Sequence, residues 1–323
     1  MKKYAFWIVA LCLAAAVAQA ADTYPSRPIR FIVPYPPSGG TDTVARLIAQ
    51  PLAARLGQSV VVDNRSGANA IIGTALAAKA PADGYTLVFS LPANVAVNPV
   101  YYRDLPYDPQ RDFAPLIQLN DIALLLVTAN TLPVRNVPEL IALAKAQPGQ
   151  LNFASSGNGS AAHLAMELFN AMAGVRMVHV PYKGGAPALT DIIAGQVQMM
   201  SGPMIGAMPH VRAGRVRALA VTTARRTRGL PDVPAIAESL PGYDSAIWHG
   251  VLVPRGTPAA IVSRLNSELN AVLQLPEIRE RFASQGAEPV GGTPQQFATL
   301  IRTETEKYAK LLRGIGMAGT VSQ

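Results

Sequence analysis

Two stretches of this chain carry residues suited to holding a negative charge. The first is Pro34-Tyr35-Pro36-Pro37-Ser38-Gly39-Gly40-Thr41-Asp42, and the second is Ser155-Ser156-Gly157-Asn158-Gly159-Ser160, followed by His163. Each comes after a short apolar run and opens a segment with helical spacing. Glycine lets a backbone approach a guest closely. The first N–H groups of a helix have no partner inside it and point outward with the positive end of the dipole. Such a junction holds an anion without any charged side chain. The hydroxyls of Ser38, Thr41, Ser155, Ser156 and Ser160 add directional hydrogen bonds. Either stretch alone is also an ordinary helix cap. Two of them, at matching places in two similar units, point to a clamp with one jaw per unit.

Other chemistries fit less well. There is no G-x-x-x-x-G-K-[ST], and Gly157-Asn158-Gly159 begins a dinucleotide fingerprint that fails at Ala162. A hydrolase would draw on Ser155 or Ser156, His163 and Asp191, but no G-x-S-x-G elbow is present. His179, His210 and His249 stand isolated in sequence and read as structural or surface residues. His163 and Glu167 share a helical face, yet two ligands do not complete a metal site, so neither a metal nor a cofactor is expected. Tyr182-Lys183-Gly184-Gly185 is a further strand-to-helix turn, either presenting Lys183 or its amides to a cleft or lying plain on the surface.

The elements that would position these loops alternate. Residues 29–33 read as a strand, and 41–56 as a helix with Pro51 expected to kink or divide it. Strand 59–62, an Ala-rich helix over 68–80 and strand 85–89 follow. This βαβαβ rhythm predicts a parallel sheet with helices on both faces. A Pro-rich connector spans 98–115. The rhythm then restarts with strands at 122–128, 152–154, 177–180, 197–200 and 216–221, interleaved with helices. Beyond Pro241-Gly242 the chain reads as mainly helical, and this tail is expected to pack on the first unit. Two chain crossings between the units would then form a hinge, and ligands of such sheets sit at the carboxyl ends of the strands.

The N-terminus reads as an export signal. Lys2 and Lys3 precede an apolar run over 4–17 and a small-x-small site at Ala18-Gln19-Ala20, with cleavage expected after Ala20. The run is short for a membrane span. Cys12, the single cysteine, lies inside it behind Leu11, so neither lipid, disulfide nor thiol chemistry is expected in the mature chain. Without Lys2 and Lys3, 26 basic residues face 20 acidic ones, which favours anionic guests kinetically. The one basic cluster, Arg225-Arg226 with Arg228, has no neighbouring aromatics, so no nucleic acid is expected. About 300 mature residues exceed one comfortable core, and two domains follow.

Seven blocks in order carry a resemblance to a known family: PIRFIVPYPPSGGTDTVARLIA, NPVYYRDLPYDPQRDFAPL, FASSGNGSAAHLAMELF, HVPYKGGAPALTDIIAGQVQ, PHVRAGRVRALAVTTA, LPDVPAIAESLPGY, and RGTPAAIVSRLNSEL with QGAEPVGGTPQQF. From about Tyr24 to Ile315 the chain resembles the Bug family, the TctC-like solute receptors of tripartite tricarboxylate transporters. The resemblance implies a type II periplasmic binding protein of two α/β domains, hinged around a ligand cleft. Residues 1–20 would be the signal peptide, 21–122 with 246–323 the first domain, and 123–245 the second. It implies a small carboxylate solute, held partly through water and delivered to membrane subunits of such a transporter by a monomeric, non-enzymatic receptor. An orphan sensor feeding a signalling partner is the alternative. By position, its contacts map to Tyr35, Pro36, Ser38, Gly39, Gly40, Thr41 and Asp42, to Ser90, Asn94 and Asn98, and to Ser155, Ser156, Gly157, Ser160 and His163. The chain departs from the family at Ser38, where many members have Gly. It departs again at Met199-Met200-Ser201-Gly202-Pro203, where many place an Asp or Asn facing the pocket; this favours a less polar carboxylate.

Overall fold

The computed structural model describes residues 24–38 and 40–319; the expected signal peptide and Gly39 lie outside the described residues. Two mixed sheets form the frame. In the first, β1 (Ile29–Val33) lies between β2 (Val60–Asn64) and β3 (Thr86–Ser90), all parallel. Then β10 (Ile247–Pro254) inserts antiparallel between β3 and β4 (Phe113–Ile122), and β11 (Ala287–Gly291) closes the edge beside β4. In the second, β6 (Asn152–Ser155) runs parallel to β7 (Val178–Pro181) and β8 (Met199–Pro203). There β5 (Leu124–Ala129) lies antiparallel between β8 and β9 (Val216–Val221).

The purely parallel sheet expected from the first third holds only for β2-β1-β3. The ten-residue β4 starts within the end of the expected connector and continues up to the strand expected at 122, and β10 and β11 fall where a helical tail was expected. Pro115, Gly250 and Pro289 punctuate these strands, and such residues read as turns in a sequence. At Pro115 the ladder with β10 slips by a bulge, the usual way a sheet takes in a residue with no N–H.

Helix α1 (Gly40–Leu56) follows β1 and buries Val44, Ala45, Ile48, Ala49, Leu52 and Leu56 against the first sheet. It runs through Pro51 undivided. The lost hydrogen bond costs less than breaking an apolar face that the core holds on both sides of the proline. Helix α2 (Ile71–Ala78) lies close under the first loop because residue 73 is glycine: a Cβ there would sit 2.4 Å from the Arg65 carbonyl oxygen and 2.8 Å from Pro34 Cα. A π-helical turn over Ala93–Val97 leads into α3 (Asn98–Tyr101), and α4 (Pro109–Asp112) precedes β4.

The chain crosses between sheets at Ala123 and again between β9 and β10. Thr222 ties the crossings together: its hydroxyl accepts from the Leu124 N–H at 3.0 Å and donates to the Ser245 carbonyl at 3.1 Å, while the Ser245 N–H reaches the Thr222 carbonyl at 2.9 Å. The second sheet carries α5 (Val137–Ala146), α6 (Ala161–Ala173), α7 (Gly185–Ile193) and α8 (Met204–Arg212); α9 (Ala259–Leu273), α10 (Pro276–Ser284) and α11 (Pro294–Gly314) end the chain. Helix α11 packs on both cores. Phe297 and Ile301 join Trp248 and Ile32 in the first, and Tyr308, Leu311 and Leu312 join Phe153, Phe169 and Tyr243 in the second. No helix among the described residues is long and apolar enough to cross a membrane.

Candidate functional site

At the end of β1 the first loop is braced from within. Asp42, 3% exposed, accepts from the Ser38 N–H and from Arg46 Nε, both at 2.9 Å, and from Asn64 Nδ2 at 3.0 Å. Burial by itself would raise the pKa of this carboxyl, but the bonds from Arg46, Ser38 and Asn64 hold it below the usual carboxylate range. Asn64 Nδ2 also donates to the Tyr35 carbonyl at 3.1 Å, and the Arg65 N–H to the Val33 carbonyl at 2.8 Å. Asp42 therefore shapes the loop. Thr41 is half-buried, while Pro36, Ser38 and Gly40 are exposed. The Tyr35 hydroxyl is buried with no hydrogen-bond partner among the described residues.

Ser38 has φ 64°, a left-handed backbone that costs a non-glycine residue about 1–2 kcal/mol. Glycine adopts the same backbone without that cost. Ser38→Gly is expected to raise the unfolding free energy by up to about 1 kcal/mol, since the N–H bond to Asp42 survives and only strain and one hydroxyl are lost. A urea titration of both proteins checks it.

Beyond β3, Ser90 is wholly buried and its hydroxyl has no partner among the described residues. Asn94 and Asn98 turn out to bond within the protein. Asn94 Nδ2 donates to Thr74 Oγ1 at 3.1 Å, and its Oδ1 accepts from the Leu91 N–H at 2.8 Å. Asn98 and Asn69 exchange two bonds of 2.9 Å. That clamp sits on a turn in which Ala68, Asn69 and Ala70 are all left-handed, at φ 45°, 50° and 70°, and the Ile71 N–H returns to the Ala68 carbonyl at 3.0 Å. The expected Ala-rich helix over 68–80 starts late for this reason. The helix that follows this turn approaches the first loop at Gly73, and the turn is a feature that sequence reasoning missed; the Gly67 before it was the available signal.

The second loop lies between β6 and α6. Ser160 caps the helix, accepting from the His163 N–H at 3.3 Å, which leaves the N–H groups of Ala161 and Ala162 in the first turn without an intrahelical acceptor. Two other amides are already used. The Gly157 N–H goes to Ser155 Oγ at 3.1 Å and the Gly159 N–H to His163 Nδ1 at 3.1 Å. Ser155 is wholly buried, and His179 Nε2 lies 2.6 Å from its hydroxyl. Of the serines here, Ser156 is the exposed one.

The isolation expected of His179 needs correction, while His249 is structural, one of the two readings open to it. His179 is not isolated but stacks on His163, ring centroids 3.8 Å apart, and burial, with His163 beside it, pushes its pKa down to about 4. His249 is buried in β10 opposite Asn120 of β4, and burial pushes its pKa down to about 3. Neither His249 Nδ1 nor the Asn120 amide has a partner among the described residues. The triad that a hydrolase would need does not assemble. Asp191 accepts from the Tyr182 hydroxyl at 2.7 Å, His163 faces Glu167 at 3.6 Å, and the serine bonded to an imidazole is the buried Ser155. No group of three metal-ligating residues gathers among the described residues.

With this geometry in view, the profile of the "Tripartite tricarboxylate transporter family receptor", TctC, matches residues 44–317. The chain belongs to this family. Among TctC relatives, Protein BugT of Bordetella pertussis is 41% identical over 303 residues, 93% of each chain. A protein from the tcbD-tcbE intergenic region of Pseudomonas sp. strain P51 is 40% identical, covering 94% of this chain and 91% of its own. A solved structure of an R. palustris protein with adipate superposes with TM-score 0.76 at 41% identity, covering 91% of this chain and 99% of that one. MatC from Rhodopseudomonas palustris, with bound malate, gives 0.72 at 31%, covering 90% and 100%. The two-lobe solute-binding fold expected from the sequence is the fold of these TctC structures, and the relatives are solute-binding receptors rather than enzymes.

Proposed function

We propose that this chain captures a small dicarboxylate between its two lobes outside the cytoplasm and hands it to the membrane subunits of a tripartite tricarboxylate transporter. The observation that carries this reading is the pair of internally braced strand-to-helix loops, one after β1 and one after β6, in a chain whose relatives were solved with adipate and malate. The lobes are 21–122 with 246–323 and 123–245, hinged where Thr222 ties the crossings. The leader of residues 1–20 sends the protein to the periplasm, where it works as a monomer without turnover. The N–H groups at the two helix starts, the exposed hydroxyls of Ser38 and Ser156 and the half-buried hydroxyl of Thr41 take the carboxylate oxygens.

Charge-assisted hydrogen bonds of about 1.5–3 kcal/mol each, less the ordering costs of closure, suit a Kd near 1 μM. The β8 segment Met199-Met200-Ser201-Gly202-Pro203 offers no acidic or amide side chain to a solute ammonium. Adipate is therefore expected to bind at least tenfold more tightly than aspartate or glutamate. Calorimetric titration of the mature protein tests both points, with a thermal shift as support, since a hundredfold excess of solute over Kd stabilises by about 2.7 kcal/mol. Absence of heat and of any melting shift across C4–C6 dicarboxylates would sink the reading.

A further inference from the structure

We infer that His179 is the positioning residue of the second loop: by holding the Ser155 hydroxyl it turns the Gly157 N–H inward and fixes which side of the loop meets the solute. The inference rests on the receptor reading above and deepens it. In the parallel pair β6–β7, Phe153 stands beside His179, and the rings lie 5.1 Å apart at 24°. His163 also packs on His179, 3.8 Å away at 19°, and lies 6.3 Å from Phe153 at 19°. Phe153, His179 and His163 thus form one cluster of three mutually packed, near-parallel rings beside the loop. Each imidazole holds one loop amide. His163 does so directly, since its Nδ1 accepts from Gly159; its remaining proton therefore sits on Nε2, toward Glu167 at 3.6 Å.

His179 acts through Ser155. The Ser155 oxygen accepts the Gly157 N–H, and the Ser155 hydroxyl donates to the Gly157 carbonyl at 3.0 Å. A hydroxyl has one proton, so with that proton on the Gly157 carbonyl it is Nε2–H of His179 that donates in the 2.6 Å contact. Gly157 and Gly159 have φ 130° and 72°, which leaves the loop free to point its amides elsewhere unless they are held. A flat ring with a nitrogen at the ε position both packs in this cluster and reaches Ser155. Phenylalanine keeps the stack and loses the donor. Glutamine keeps a donor near the Nε2 position and loses the stack.

The test uses the mature protein with adipate as the probe. His179→Phe is expected to raise the adipate Kd 10- to 100-fold and to move the Gly157 amide resonance of the solute-free protein. His179→Gln is expected to recover most of the affinity and to return that resonance toward its wild-type position. A packing role alone predicts the reverse order, with glutamine the worse of the two. Wild-type affinity in His179→Phe, or an unmoved Gly157 amide, would overturn the inference. Should His179→Phe fold poorly, Ser155→Ala must move the same amide while leaving His179 in place, and an unmoved amide there overturns it equally. Failure of the wild type to bind any C4–C6 dicarboxylate sinks the receptor reading instead, while the amide resonances still judge His179.

Discussion

Asp121→Asn will leave stability almost unchanged near pH 4 and raise it by about 2 kcal/mol at pH 8. Asp121 ends β4, beside the first chain crossing, in a pocket of about 460 Å³ that Asp244 and Glu288 also line. Burial, with Asp244, Glu304 and Glu288 nearby, pushes its pKa up to about 7 against the pull of Gln118. A carboxyl raised this way is protonated in the native protein between about pH 4 and 7, where the unfolded chain has already lost its proton. Its contribution is therefore full below the ordinary value of 3.8 and is lost as pH rises through 7. Asp244 and Glu304 are raised too, also chiefly by burial, with Lys307 opposing in both. The shift corresponds to about 4 kcal/mol at 1.36 per unit, reduced here by half because solvent still reaches the group. His179 and His249 act in the opposite sense, since both stay neutral while the unfolded chain gains protons below 6.5. In the wild type the histidines and the raised carboxyls therefore oppose each other between about pH 4 and 7, and the difference between variant and wild type isolates Asp121. Urea midpoints at pH 4, 6 and 8 decide it; a constant difference across the three would remove the claim.

Gly250→Ala will cost about 3 kcal/mol. Gly250 pairs with Ser90 in the first sheet, and a Cβ there would stand 2.1 Å from Phe297 Cζ, with two further ring atoms within 2.9 Å. Phe297 is 1% exposed and meets Trp248 edge to face at 5.3 Å, so its ring has no free direction in which to retreat. Overpacking of this kind costs about 1–3 kcal/mol and displaces backbone. Phe297→Leu should destabilise the wild type yet relieve the alanine variant, giving a coupling of at least about 1 kcal/mol in a double-mutant cycle. Additive losses in denaturant titrations would show that the two positions do not compete for the same space.

Helix α1 was legible because Val44, Ile48 and Leu52 recur at helical spacing and bury one face. β1 and β3 were legible as apolar runs bounded by turn residues, and both proved buried on both faces. β4, β10 and β11 were not, because Pro115, Gly250 and Pro289 interrupt them and their stabilising partners lie far away along the chain. Of the site, the two loops and the cap at Ser160 were visible as local patterns. The bonds that decide how the loops face were not: Asn69 with Asn98 spans 29 residues, and Ser155 with His179 spans 24.

By itself, then, the sequence determined that two strand-to-helix junctions rich in glycine and hydroxyls would exist, one in each α/β unit, and that the chain would read as a TctC receptor. Tertiary structure alone decided which donors in those junctions remain free. It turned Gly157 and Gly159 inward, occupied Asp42, Asn94 and Asn98 with bracing, and stacked two histidines that stand sixteen positions apart. A residue's helical or extended state is set by neighbours a few positions away, which a sequence displays. The partner of a buried hydrogen-bonding group is set by which separate elements the core brings together, and that depends on the packing of the whole chain.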